Sequence, residues 1–211
     1  MNRYPLQGRL RMAGNQLWLA VKSLLRTYFY RQQRIRISFD VDDTLACHFS
    51  QGDAECSRLP AAVHRWLGEP LRSGTRELAR ELRRRGCSIW VYTSSGRTPA
   101  YVRRWLLLYG VRIDGVVNSV LHKQALTAHG FTNSPSKFPP AFAIDLHVDD
   151  SEGVRLEGYD HGFRVVVVQP DDTQWAQRIL DAVAELQAQL HRQQLLSGRV
   201  AQLKRAEVFS S

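Results

Sequence analysis

Two acidic runs each close a hydrophobic stretch: Asp40-Val41-Asp42-Asp43 and Asp149-Asp150. Alternate residues of a strand point the same way, so Asp40 and Asp42 can face one pocket. If the fold adds Asp149 and Asp150, four carboxylates crowd together and raise one another's pKa. A divalent cation removes that cost. An all-oxygen donor set favours Mg2+, which keeps several waters and binds through one or two carboxylates plus a substrate phosphate. The candidate metal ligands are therefore Asp40, Asp42, Asp149 and Asp150. Thr93 ends another apolar stretch and offers a hydroxyl to a phosphate oxygen, with Ser94 behind it. Lys137 brings a positive charge that can neutralise both a phosphate and an attacking carboxylate.

These residues act together only if the chain delivers them to one place. Ile35 to Val41 reads as a buried strand that stops at the first acidic run. Residues 45–74 are irregular, and a helix follows with Leu78, Ala79 and Leu82 on its apolar face and Gly86 as its stop. Cys87 to Tyr92 is a second strand, ending at Thr93. Thr98 caps the next helix, Pro99 suits its first turn, and Gly110 ends it. Ile113 to Val117 is a third strand, 119–129 a helix, and Asn133 to Pro140 a loop carrying Lys137. Ala143 to Val148 is a fourth strand, stopping at Asp149, and Val165 to Val168 a fifth. A last helix starts near Thr173, with Trp175, Ile179, Val183, Leu186 and Leu190 on one stripe. Gly198 interrupts that pattern, so the tail from Ser197 is expected to fray.

Strands alternating with helices imply right-handed βαβ units. The expected fold is α/β: a Rossmann-like three-layer sandwich with a mostly parallel sheet of about five strands, plus N- and C-terminal helices. The segments are a basic N-terminal helix (1–34), a catalytic domain (35–172), and a C-terminal helix and tail (173–211). Ligands of such sheets bind at the carboxyl ends of the strands. The acidic runs and Thr93 all fall there.

The net charge of +9 is unevenly placed. Residues 1–36 hold 8 basic residues and no acidic one, leaving 21 basic against 20 acidic in the rest. The body is nearly neutral, so nothing in it supports nucleic-acid binding. Within 10–30, Leu10, Ala13, Leu17, Val21, Leu24 and Tyr28 share one helical face. Such a helix either docks on its own domain or lies on an anionic membrane surface, with Trp18 and Phe29 as anchors. Three cysteines without framework spacing point to a reducing, cytoplasmic setting, and no apolar run is long enough to span a membrane.

Taken in order, four segments resemble the motifs of the haloacid-dehalogenase-like hydrolase superfamily. Asp40-Val41-Asp42-Asp43-Thr44 resembles the first, Ile89 to Thr93 the second, Lys137 the third, and Val148-Asp149-Asp150 the fourth. The resemblance spans about residues 35–170. It implies a phosphatase in which Asp40 attacks phosphorus to form an aspartyl-phosphate. Asp42 would protonate the leaving oxygen and then activate water. Mg2+ would sit on the Asp40 carboxylate, the Asp42 carbonyl and Asp149, with Asp150 as a further ligand. An Asp at position 42 favours phosphate chemistry over dehalogenation, and Thr44 would help hold the turn.

Blander readings stand beside these. Asp43 suits a solvated turn, Ser94 and Ser95 suit turn and cap positions, and Arg97 suits either substrate or surface. Lys123 is an alternative to Lys137, which the flanking prolines favour. Asp145 reads as an edge or pairing residue and His147 as structural. The only insertion after the first motif is 45–74, so a cap over the site is minimal or missing. An open site suits a phosphorylated protein as well as a small phosphomonoester. The alternative is a non-catalytic module recruited to a partner or membrane by its basic helix.

Overall fold

The computed structural model describes residues 35–46, 54–55, 60, 62–63, 69–131 and 134–208. The basic segment 1–34, with the helix expected over 10–30, lies outside them.

Five strands form one parallel sheet: β1 (Arg36–Phe39), β2 (Ser88–Tyr92), β3 (Gly115–Val117), β4 (Leu146–Asp149) and β5 (Val165–Val167), in the order β3-β2-β1-β4-β5. The helices are α1 (Thr75–Arg84), α2 (Pro99–Leu108), α3 (Ser119–His129), α4 (Glu152–His161) and α5 (Trp175–Val208). The chain is an α/β, Rossmann-like three-layer fold. From β1 it runs outward through β2 and β3, then returns to the other side of β1 for β4 and β5. The reversal lies between β1 and β4, which is where such sheets open a crevice at their carboxyl ends.

The two faces of the sheet differ in chemistry. Ile37, Phe39, Ile89, Val91, Leu146 and Val148 belong to the main apolar core. Leu78 and Leu82 from α1, Trp105 from α2, and Ile179 and Val183 from α5 join them there. Period-2 alternation sends Ser38, Tyr92 and His147 to the opposite face. There a smaller cluster forms from Tyr92, Val117 and Ile144, with Trp90 and Phe142 against it. At Gly115 a side chain is excluded, because a Cβ would lie 2.2 Å from the Trp90 ring.

Several boundaries depart from the sequence expectations. β4 begins at Leu146 rather than Ala143, because Pro139–Phe142 forms a 3-10 turn and Asp145 is used before the strand. Its Oδ2 accepts the Arg36 amide at 2.7 Å, a pairing role at the entry to β1. Helix α4 had no sequence counterpart. Its signals are modest: Ser151 caps Gly153 N and Val154 N, Glu152 sits in the first turn, and Gly162 stops it with φ 72°. Helix α5 runs through Gly198 to Val208. One helical glycine costs about 1 kcal/mol against alanine, and the neighbouring Leu195, Leu196, Ala201, Gln202 and Leu203 are strong helix formers. Among the described residues no helix is long and apolar enough to cross a membrane.

Candidate active site

Strand β1 ends by handing its backbone to β4: the Asp40 amide donates to Val148 O at 2.8 Å. The chain then turns sharply, with Leu45 N and Ala46 N both donating to Val41 O at 3.0 and 2.7 Å. Asp43 takes a left-handed φ of 58° in that turn, a conformation Asp tolerates better than most residues. The turn puts the Asp40 carboxylate in a buried position and leaves Asp42 half exposed. Thr44 is fully buried, and its Oγ1 has no partner among the described residues.

Lys137 comes from the proline-flanked loop and is only 3% exposed, whereas Lys123 is exposed on α3. Its ammonium pairs with Asp40 Oδ1, donates to Tyr92 O at 3.1 Å, and lies 4.0 Å from Asp149 Oδ2. The loop is anchored by Tyr92, whose hydroxyl accepts Phe138 N at 2.9 Å and bonds His122 Nδ1 at 2.6 Å. Asp149 closes β4. Its Oδ1 accepts Ser151 N at 3.0 Å, and its Oδ2 bonds His147 Nε2 at 3.0 Å.

The ends of β1, β2 and β4 thus meet around one lysine, at the point where the strand order reverses. Segments that resemble haloacid-dehalogenase-like motifs in the sequence are thereby brought to one crevice of a Rossmann-like parallel sheet. No family model matches the chain, and no curated protein does. Among solved structures, a chain of a Pnkp1/Rnl/Hen1 complex is similar over 64% of this chain and 46% of that one, at 15% identity and a TM-score of 0.40. This chain therefore spans under half of that neighbour's length. A predicted HAD-like family hydrolase from Porphyromonas gingivalis is similar over 72% of this chain and 97% of its own, at 14% identity and a TM-score of 0.37. An uncharacterized protein from Corynebacterium glutamicum follows at 16% identity and a TM-score of 0.39, over 71% of this chain and 93% of its own. These likenesses are distant, and the site's chemistry rests on its own residues.

Electrostatics in this α/β domain centre on two buried carboxylates and one ammonium. Burial, aided by the Asp149 charge, pushes the Asp40 carboxyl up, and Lys137 limits the rise. Burial also acts against the Asp149 charge. The hydrogen bond from His147, the Lys137 charge and the Ser151 amide outweigh it and hold that carboxyl below the usual range. Asp150, half-buried beside it, is pushed up by burial and by the Asp149 charge. One lysine does not cancel this much negative charge. Among the described residues no three His, Cys, Asp or Glu side chains are placed to hold a metal by themselves. Mg2+ asks for less, because it keeps waters and takes substrate phosphate as ligands. Two carboxylates on adjacent strands, with the Asp42 carbonyl between them in sequence, fit that demand. No hydrogen bond among the described residues reaches Asp40 Oδ2.

The other candidates are placed as follows. Thr93 is fully buried, and its hydroxyl donates to Ser95 Oγ at 3.0 Å and accepts Ser95 N at 3.1 Å. Ser94 is exposed in the same turn. The Asp42 carboxylate faces Arg97, which forks onto it with bonds of 2.9 and 2.7 Å. The same guanidinium donates to both oxygens of Glu69, at 2.8 and 2.7 Å. Sequence reading left Arg97 open between substrate and surface and did not single out Glu69. Nothing local marks that pair, whose members are 28 residues apart.

Glu69 also accepts Tyr101 Oη at 3.0 Å, and its carbonyl takes Trp105 Nε1 at 2.7 Å and Tyr109 Oη at 3.0 Å. The end of the 45–74 insertion is thereby tied to α2. Arg97 and then Tyr101 hold the Glu69 carboxyl below its usual range against the effect of burial. A depressed folded pKa stabilises the fold above the unfolded value, and that stability is lost as pH falls through the folded value. Glu69→Gln is therefore expected to flatten the acid arm of the stability curve. Melting temperature from about pH 6 down to about pH 3 measures this, and an acid arm as steep as that of the parent chain would contradict it.

Proposed function

We propose that the chain is a Mg2+-dependent phosphatase that hydrolyses a phosphomonoester through phosphorylated Asp40. The observation that carries this reading is the meeting of Asp40, Lys137 and Asp149 at the crevice between β1 and β4. The Asp40 carboxylate, the Asp42 carbonyl and Asp149, with Asp150 beside them, would hold Mg2+, which would supply charge neutralisation as one anion approaches another. Asp40 attacks phosphorus through Oδ2, while Lys137 holds Oδ1 and fixes the direction of attack. The ester P–O bond breaks, and the leaving oxygen takes a proton from Asp42. Asp42 then removes a proton from water, which attacks the aspartyl-phosphate phosphorus and returns Asp40 and inorganic phosphate.

Asp42 holds that proton only if one of its two Arg97 bonds opens. Glu69 keeps the guanidinium in place when it does. Ser94 supplies a hydroxyl to the phosphate, Thr93 does so once its bond to Ser95 Oγ opens, and Lys137 supplies charge. Because residues 47–53 and 64–68 lie outside the described part, the extent of cover over the site stays with the sequence reading. That reading has an open site accepting small or protein-borne phosphate.

A panel of phosphomonoesters assayed with Mg2+ and with a chelator tests the proposal. Hydrolysis that appears with Mg2+ and vanishes with chelator is expected. Silence across the panel with pure, metal-loaded protein contradicts it and favours a non-catalytic binding module.

A further inference from the structure

A strand in the middle of a parallel sheet is ordinarily apolar on both faces. Strands β1 and β4 break that rule at one register position, where Ser38 lies directly beside His147. Both side chains are fully buried. Burying two polar side chains costs stability unless each finds a partner, so the pair calls for an explanation. Ser38 Oγ is 2.8 Å from His147 Nδ1, and His147 Nε2 is 3.0 Å from Asp149 Oδ2. The three groups form a buried chain that ends on a carboxylate of the site.

We infer that His147 is the positioning residue that aims Asp149 at the metal, with Ser38 holding the imidazole in the required tautomer. This rests on the phosphatase reading, in which Asp149 is a metal ligand. An ionised carboxylate only accepts hydrogen bonds, so Nε2 carries the proton. Nδ1 is then the acceptor and the Ser38 hydroxyl the donor. The ring cannot swing away, because Tyr92 packs against it with centroids 5.6 Å apart. Tyr92 is itself fixed by His122 and the Phe138 amide. Ser151 N holds the other Asp149 oxygen. Each oxygen so held keeps a further lone-pair direction for a cation. Partners of this kind, one bond removed from the metal, typically set ligand orientation and basicity.

A merely structural histidine would need only its own hydrogen bonds satisfied. Two polar substitutions separate the cases. The Asn side chain in His147→Asn reaches Ser38 and is too short for Asp149. The longer amide in His147→Gln reaches Asp149. The measurement is the Mg2+ dissociation constant by calorimetry on the full chain, with a thermal melt of each variant. The Asn variant is expected to bind Mg2+ about 10- to 100-fold more weakly, and the Gln variant close to the parent chain. Activity of the Asn variant recovers as Mg2+ is raised. A folded Asn variant with parental Mg2+ affinity would overturn the role of His147 alone. If the Asn variant fails to melt cooperatively, the Gln variant decides: parental affinity supports the inference and a loss of about 10-fold or more overturns it. A parental chain that binds no Mg2+ would instead overturn the phosphatase reading.

Discussion

Asp40→Asn is expected to abolish turnover and to leave the domain folded. The amide is a poor nucleophile, and among the described residues no other carboxylate pairs as closely with Lys137. Loss of a covalent nucleophile costs on the order of 10^4-fold or more in kcat. The fold survives because Lys137 keeps two partners, Tyr92 O at 3.1 Å and Asp149 Oδ2 at 4.0 Å. The change also removes a carboxyl that burial already pushes up. Kinetics and a thermal melt on the same preparation check both halves. Unchanged hydrolysis in a well-folded variant would contradict the role of Asp40.

Removing the lysine is expected to do the opposite to stability. Lys137→Met leaves Asp40 and Asp149 buried without the cation that both carboxyls face. Breaking a buried pair by deleting one partner costs about 3–5 kcal/mol. Turnover should fall by roughly 10^2- to 10^3-fold, the scale for losing one preorganised electrostatic contact. The pH dependence carries a sign. Without the ammonium, the Asp40 carboxyl rises further above its unfolded value. Stability from a raised carboxyl is fully present below the unfolded pKa and is lost as pH rises through the folded one. The Met variant should therefore gain on the parent chain as the solution is acidified through the carboxylate range. Added Mg2+ should raise its melting temperature by more than it raises the parent's, since any ligand of the folded state stabilises by mass action. Equal melting temperatures at neutral pH would contradict the account.

Short apolar runs closed by acidic or hydroxyl residues made the strands visible, and Asp40, Thr93 and Asp149 lie at the carboxyl ends of β1, β2 and β4. Thr98, Pro99 and Gly110 likewise bounded α2 from local chemistry, with Thr98 Oγ1 accepting Tyr101 N at 3.2 Å. Helix α4 was harder to see. Its exposed Leu156 and Tyr159 and its buried Gly158 blur the apolar stripe that a helix normally shows. Glycine is the weakest signal again at position 198, where strong helix formers on both sides carry α5 onward. Long-range partners were legible only where the motif order named them, as for Lys137 and Asp40, and not for Arg97 and Asp42. Arg97 reaches Asp42 across 55 residues and Lys137 reaches Asp40 across 97. The first pair was missed because no pattern joins its members. His147 was read as structural because a histidine inside a strand is usually satisfied locally. Its bond to Asp149, two residues on, becomes meaningful only when Asp149 is seen to face Lys137.

The central claim is that Asp40 accepts the phosphoryl group. Rapid quenching during turnover of the best substrate, followed by peptide mass spectrometry, tests it most directly. The account predicts one added phosphoryl group on the peptide bearing Asp40, present with Mg2+ and gone in Asp40→Asn. Turnover in which that peptide stays unmodified while another residue carries the group would contradict it.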